Sequence, residues 1–196
     1  MKNIVFDLGG VLFARDKSKC TPELLEFFSF LRAPRMPLFW EEYDRGTSTL
    51  EEVTATISRM TGRPVETCAA VLRLAVDLQE PVKPTERLVG DLKAAGYRLY
   101  VLSNMSREFI DFLRRFPVYG LFDGEVVSCE EHTVKPEPRI YEILLERYGL
   151  TPSETLFIDD RRSNLEAAAA FGIATFHFRE PESSCTQLRE MLLQKE

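Results

Sequence analysis

The sequence predicts an α/β fold: a parallel sheet with helices on both faces, carrying an all-helical bundle inserted after its first strand. Three observations lead there. Apolar runs of strand length stop three times on polar groups: Ile4-Val5-Phe6 on Asp7, Leu99-Tyr100-Val101-Leu102 on Ser103-Asn104, and Leu156-Phe157-Ile158 on Asp159-Asp160. These runs are apolar throughout rather than alternating, as strands covered on both faces must be. From residue 85 onward helix and strand patterns alternate strictly, whereas 21–78 reads as four helices with no strand between them.

The elements follow in order. Gly9-Gly10 after the first strand lets the backbone bend sharply and approach a ligand closely. Ala14 to Lys19 is polar and reads as a loop. Thr21-Pro22-Glu23 opens a helix, with Thr as N-cap, Pro at the first helical position and an acid in the first turn. Leu24, Leu25, Phe27, Phe28 and Leu31 follow at helical spacing, and Ala33-Pro34 ends it. A second helix over 37–43 holds the only tryptophan, Trp40, before an Asp44-Arg45-Gly46 turn. Ser48-Thr49-Leu50-Glu51 has capping-box spacing and starts a third helix to about Met60. Gly62-Arg63 breaks it, and Pro64 opens a fourth with Cys68, Val71, Leu72, Ala75 and Val76 on one side. Residues 79–84 read as a stiff Pro-containing linker. Beyond it, helices are predicted over 85–95, 106–116, 138–148, 163–171 and 184–194, three of them closed by Gly96, Gly149 and Gly172. Strands are predicted over 98–102, 125–128, 155–158 and 173–178. The first strand belongs to that sheet, so residues 1–14 and 82–196 are expected to form the core and 15–81 a helical insertion.

Composition bounds the function classes. A chain of 196 residues holds one domain with a sizeable core and a small insert. A net charge of −6 argues against nucleic acid or an anionic membrane as partner. Cys20, Cys68, Cys129 and Cys185 are scattered without metal-ligand spacing and read as reduced thiols. No leader pattern or apolar run of membrane-spanning length is present, so a cytoplasmic protein acting on a small molecule is expected. Dinucleotide, P-loop and zincin motifs are absent.

In an open parallel sheet the carboxyl ends of the strands form the ligand crevice, so Asp7, Asp159 and Asp160 are expected to converge. Two carboxylates about 4 Å apart repel by about 4 kcal/mol at an effective dielectric of 20. Such a cluster persists with a cation or a shared proton, and hard oxygen ligands with open positions favour Mg²⁺. The competing reading makes each acid an N-cap of the following helix. Ser103-Asn104 before a helix start reads either as an anion site or as plain capping. Lys135, in Thr133-Val134-Lys135-Pro136-Glu137-Pro138, sits in a loop stiffened by prolines, where a held ammonium would offset negative charge.

Four ordered motifs carry a resemblance: Phe6-Asp7-Leu8-Gly9-Gly10-Val11-Leu12, Leu102-Ser103-Asn104, Val134-Lys135-Pro136, and Phe157-Ile158-Asp159-Asp160 followed by Asn164. Over essentially its whole length the chain resembles the phosphatase branch of the haloacid dehalogenase superfamily, with a small helical cap after strand one. Within it, the chain is similar to short-cap sugar-phosphate phosphatases and the phosphatase domain of soluble epoxide hydrolase. The resemblance implies a Rossmann-like sheet and hydrolysis of a small phosphorylated metabolite. It implies Asp7 as the nucleophile that forms an aspartyl-phosphate. Mg²⁺ would be held by Asp7, the Gly9 carbonyl and Asp160, with Asp159 direct or through water. Ser103 and the Asn104 backbone would bind phosphoryl oxygens, Lys135 would orient Asp7, and Asn164 would brace the acidic loop.

One departure stands out. Phosphatases of this family usually carry a second aspartate two residues after the nucleophile, as acid and base; here that position is Gly9. General acid–base help is worth about 10²–10⁴-fold. Turnover is then expected to be slow, to need a good leaving group, or to draw its proton from another group. Some relatives with the Asp-Leu-Gly form look like working phosphatases. Two alternatives stay open: a dehalogenase, in which the carboxylate attacks carbon, and a phosphometabolite-binding protein without efficient turnover. His132 is weighed as a substitute acid against an exposed loop residue, and His177 reads as structural. Arg15, Lys17 and Lys19 are weighed as substrate contacts against a solvated loop, and Phe39, Trp40 and Tyr43 as substrate lining against helix packing. The chain is expected to be a monomer or homodimer.

Overall fold

The computed structural model describes residues 1–32 and 36–193. Its strands are β1 (Asn3–Phe6), β2 (Phe13–Arg15), β3 (Gln79–Pro81), β4 (Arg98–Ser103), β5 (Gly124–Val127), β6 (Thr155–Asp159) and β7 (Ala174–His177). Four helices lie between β2 and β3: α1 (Pro22–Phe27), α2 (Leu38–Asp44), α3 (Leu50–Thr61) and α4 (Val65–Asp77). The others are α5 (Lys83–Ala94), α6 (Arg107–Leu113), α7 (Ser128–Glu131), α8 (Pro138–Tyr148), α9 (Arg162–Ala170) and α10 (Pro181–Leu193).

Five strands form one parallel sheet in the order β5-β4-β1-β6-β7. The chain runs outward from β1 in both directions, so β1 marks the switch point where the strand ends open a crevice. Successive side chains feed two cores. Ile4, Phe6, Leu99, Val101 and Ile158 pack with Leu88 and Leu92 of α5, Ile110 of α6 and Leu188 of α10. Val5, Tyr100, Leu102 and Phe157 pack on the opposite face with Ile140, Tyr141 and Leu144 of α8 and Ala168 of α9. Double burial is why these strands read as unbroken apolar runs.

The helical segment has a third core. Leu24, Phe27, Phe28, Tyr43, Val53, Ile57, Cys68, Leu72 and Ala75 gather around Trp40, joined by Phe109 of α6. The Trp40 ring meets Phe28 at 5.8 Å, Phe30 at 5.2 Å and Tyr43 at 5.5 Å between centroids. The aromatic residues are therefore packing groups. Thr21 caps α1 by accepting from the Leu24 amide (3.2 Å). The capping box of α3 is Thr49 with Glu52, one residue beyond the pair expected at Ser48 and Glu51. Gly62 ends α3 in the left-handed region at φ 68°. The expected stop at Ala33-Pro34 and the end of the last helix at Gln194 lie outside the described residues.

Two expectations are corrected. The polar stretch after Leu12 and the Pro-containing linker pair as antiparallel strands: Phe13 faces Pro81, Ala14 faces Glu80 and Arg15 faces Gln79. Three-residue strands carry too little periodicity to be read, and their pairing spans the whole insertion. The strand expected to reach Ser128 ends at Val127, where the short helix α7 begins.

The far end of the helical segment is clamped to the sheet domain. Glu137 accepts from both Arg45 guanidinium nitrogens (2.8 and 2.7 Å), the Thr133 hydroxyl (2.7 Å) and the Val134 amide (3.3 Å). The Arg45 hydrogen bonds, working against some desolvation, hold the Glu137 carboxyl down from the ordinary 4.5 to about 2. A carboxyl depressed on folding contributes stability that is complete above its unfolded value and is lost as pH falls through its folded value. The stability difference between wild type and Glu137→Gln in urea unfolding is therefore expected to hold from neutral pH down to about 4.5 and to close as pH approaches about 2. A difference that ignores pH over that window contradicts the clamp.

Candidate active site

The crevice at the carboxyl ends of β1, β4 and β6 collects the motif residues. The Asp7 amide donates to the Ile158 carbonyl (2.9 Å), continuing the β1–β6 ladder and fixing the residue beside Asp159. Three donors converge on one Asp7 oxygen, Oδ1: the Leu8 amide at 2.8 Å, the Ser103 hydroxyl at 3.0 Å and Lys135 Nζ at 2.9 Å. Lys135 Nζ also donates to Asp159 Oδ2 (2.7 Å) and the Leu102 carbonyl (2.9 Å), so its three N–H groups are used. Its side chain is 1% exposed.

Asn104 serves the lysine rather than standing apart from it. Its side chain donates to the Lys135 carbonyl (2.9 Å) and accepts from the Lys135 amide (2.7 Å). Asn164, on α9, donates to both Asp159 oxygens (3.1 and 3.0 Å), and the Arg161 amide reaches Asp159 Oδ1 at 2.7 Å. Both oxygens of Asp159 are thus already satisfied by protein donors. Asp160 is the exposed member of the group. His177 holds its backbone: Nε2 lies 3.0 Å from the Asp160 carbonyl while Arg179 Nε donates to Nδ1 at 3.3 Å, which assigns the proton to Nε2.

Asp7, Asp159 and Asp160 offer carboxylate oxygens that all lie within 4.8 Å of one another. Burial, opposed by Lys135 and reinforced by Asp159 and Asp160, pushes the Asp7 carboxyl up to about 7. Burial, then Asp159, raises Asp160 as well. Burial works against the Lys135 ammonium, but Asp159 and Asp7 outweigh it and raise its pKa. Three acids against one ammonium leave an excess of negative charge, and the donors are all hard oxygens. That set fits a divalent cation such as Mg²⁺.

Other candidates lie elsewhere. His132 is exposed at φ 53° with Nδ1 on the Arg45 carbonyl (3.2 Å). Lys19 pairs with Asp16 (3.0 Å) and Glu80 (2.7 Å), and Arg15 lies over the Phe28 ring at 4.6 Å. The Lys17 side chain is outside the described residues. A cleft of about 610 Å³ at the seam of the two parts is lined by Tyr43, Glu51, Arg107, Glu130 and His132 among others, and by none of the clustered acids. Two charged groups that motif reading passes over interact with the acids. Arg161 acts electrostatically on Asp160 and Asp44, and the Asp7 charge raises the carboxyl of Asp44 at the end of α2.

A family model described as haloacid dehalogenase-like hydrolase matches residues 1–172. The chain belongs to the haloacid dehalogenase-like hydrolases. It is similar to a sesquiterpene phosphatase of Aspergillus oryzae, 28% identical over 97% of this chain and 96% of that one. It is similar to a D-ribitol-5-phosphate phosphatase of Bacteroides thetaiotaomicron, 27% identical over 97% of each. A solved structure from the same bacterium, a family enzyme in complex with magnesium and inorganic phosphate, superposes with a TM-score of 0.69. That match is 27% identical and covers 91% of this chain and 94% of that one.

Within this haloacid dehalogenase-like hydrolase the two glycines after Asp7 differ physically. Gly10 has φ 77°, and a Cβ there would lie 2.8 Å from Asp160 Oδ2. Gly9 has no positive φ, and its nearest obstacle to a Cβ is the Met105 methyl at 3.9 Å. Gly10 is required by the fold of the loop and Gly9 is not. Gly10→Ala is expected to destabilise by about 1–2 kcal/mol in urea unfolding, while Gly9→Ala is neutral or stabilising by up to about 1 kcal/mol. Lys135→Ala, which leaves buried carboxylates without their counter-charge, is expected to cost about 3–5 kcal/mol in chelator. A loss below about 1 kcal/mol would show the acids to be neutral without the lysine.

Proposed function

We propose that the chain is a Mg²⁺-dependent phosphatase of a small phosphorylated metabolite, sugar-phosphate-like, working through an aspartyl-phosphate. The observation that carries this reading is Asp7, held by one oxygen between Ser103 and Lys135 with the Asp160 carboxylate alongside. Oδ1 is tied to three donors, so the reading gives the attack on phosphorus to Oδ2. Mg²⁺, held by Asp7, the Gly9 carbonyl and Asp160, with Asp159 directly or through water, would screen the charge between carboxylate and phosphate. Lys135 supplies the remaining balance and fixes the carboxylate's direction. The Ser103 hydroxyl, turning from Asp7, and the Asn104 amide receive phosphoryl oxygens, while the Leu8 amide and Lys135 keep Asp7 Oδ1. Asn164 holds Asp159, and Asp159 holds Lys135. Residues 15–81 act as a cap over the core formed by 1–14 and 82–196, and their closure excludes water.

The relatives matched over 97% of this chain are named phosphatases, whereas the (S)-2-haloacid dehalogenases it is similar to match over less than half of it, which supports the phosphatase reading, as does the Asp159-Asp160 pair, which attack on carbon does not need. Gly9 favours a second reading, a protein that binds a phosphometabolite without efficient turnover. Phosphate release from a panel of sugar phosphates, nucleotides and an aryl phosphate separates them. Mg²⁺-dependent release is expected, abolished by chelator and reduced to background by Asp7→Asn in protein whose circular dichroism is unchanged. Full activity in Asp7→Asn would remove the nucleophile from the reading.

A further inference from the structure

The residue that supplies the acid in these phosphatases, two positions after the nucleophile, is glycine here, yet the space for a side chain is present. The question is which group faces that space. Met105 marks it: its methyl is the atom nearest the position a Gly9 Cβ would take. The neighbouring residue, Ser106, donates its amide to the carboxylate of Asp44. Asp44 also feels Arg161, beside Asp160, and Asp7 itself. One carboxyl on the helical segment is therefore hydrogen-bonded to the loop after β4 and within electrostatic reach of residues that follow β1 and β6.

Asp44 is held there from several sides. The Ser128 hydroxyl donates to the Asp44 carbonyl and accepts from the Met105 amide at 2.9 Å. Arg45 is forked onto Glu137, and its carbonyl meets His132. Gly46, at φ 74°, lies so close to the Cys129 backbone that a Cβ would collide with its carbonyl. These contacts tie the turn to the loop bearing Lys135 and to the residues just beyond Asn104. The acid also sits at the C-terminus of α2, where the helix end disfavours negative charge, so helix formation does not explain it.

We propose that Asp44 is the general acid and base of the reaction, replacing from the helical segment the carboxyl that strand one lacks. This rests on the phosphatase reading. As Asp7 attacks phosphorus and the ester P–O bond breaks, the Asp44 carboxylic acid gives its proton to the departing alkoxide, which leaves as the alcohol. The resulting carboxylate then takes a proton from water as the water oxygen attacks the aspartyl-phosphate. Phosphate departs, Asp7 is a free carboxylate again, and Asp44 is protonated again. Asp44 suits both halves: it is partly exposed, and desolvation, opposed by Arg161 and the Ser106 amide and reinforced by Asp7 and Glu41, pushes its carboxyl up to about 7.

The test compares p-nitrophenyl phosphate, whose leaving group departs without a proton, with benzyl phosphate, whose alkoxide needs one, both with Mg²⁺. Asp44→Asn is expected to lose about 10²–10⁴-fold on benzyl phosphate. On p-nitrophenyl phosphate it is expected to give a burst of one nitrophenolate per chain within tenfold of the wild-type first turnover, followed by slow release from accumulated phosphoenzyme. In a Gly9→Asp background, which restores a carboxyl at the open position, the same substitution is expected to cost less than about tenfold. An equal loss on both substrates without a burst, or the same loss in both backgrounds, overturns the proposal. Should Asp44→Asn fail to fold, the wild-type ratio decides: benzyl phosphate within about 10²-fold of p-nitrophenyl phosphate supports an acting acid, and a wider gap overturns it. Wild type that releases phosphate from neither ester overturns the phosphatase reading as well, which separates the two failures.

Discussion

The buried ammonium of Lys135 is the constraint on which the site depends. At 1% exposure it cannot be satisfied by water, and its three acceptors come from the ends of three adjacent strands: Asp7 after β1, Leu102 in β4 and Asp159 in β6. Removing either carboxylate leaves one N–H of a buried ammonium without an acceptor, a loss of about 1–3 kcal/mol. The lysine thus fixes the relative register of the loops on which any chemistry here relies. Its own position is fixed in turn by Asn104, which pairs with its backbone, and by Glu137, which pins the preceding loop to Arg45. The ion pairs form a framework first, and an anionic ligand or a cation meets a site whose geometry already exists.

That dependence explains what could be read from the chain and what could not. The strands were legible because burial on both faces of β1, β4 and β6 leaves no alternation to disguise them. Asp7, Lys135, Asp159 and Asp160 were legible because each ends an apolar run or sits in a proline-stiffened loop. Their convergence followed from the rule for parallel sheets rather than from any local signal. The β2–β3 ribbon was not legible, since Phe13–Arg15 and Gln79–Pro81 have no periodicity of their own and meet only when the insertion between them has folded. Nor was the work of Asn104 side chain, whose partner lies 31 residues away. Asp44 was hidden for another reason: in the Asp44-Arg45-Gly46 turn an acid is the ordinary choice, and only the fold brings that carboxyl within electrostatic reach of Asp7.

Gly9 and Gly10 illustrate how residue type alone misleads. Both read as backbone freedom beside a ligand. In the folded chain only Gly10 uses that freedom, with its positive φ and its close approach to Asp160, while Gly9 could carry a side chain without obstruction. A glycine where space permits more is a chemical deletion, and its consequence has to be sought in what else faces the gap.

The two attachments of the helical segment differ in kind. At its root, β2 and β3 share a backbone ladder, extended by the Val82 amide on the Leu12 carbonyl (2.8 Å) and the Asp16 amide on the Leu78 carbonyl (2.9 Å). At its tip, the segment is held by the Arg45–Glu137 fork, by Ser128 on the Asp44 carbonyl and by His132 on the Arg45 carbonyl. Partly exposed ion pairs and single side-chain hydrogen bonds are each worth about 1 kcal/mol or less, whereas the ladder is continuous with the two strands that cross between the parts. The seam carries apolar packing as well, since Phe109 of α6 lies in the helical core, and the Tyr43 hydroxyl donates to Glu108 (2.6 Å). Asp44 thus sits in a turn held to the sheet part by side chains and packing rather than by a backbone ladder.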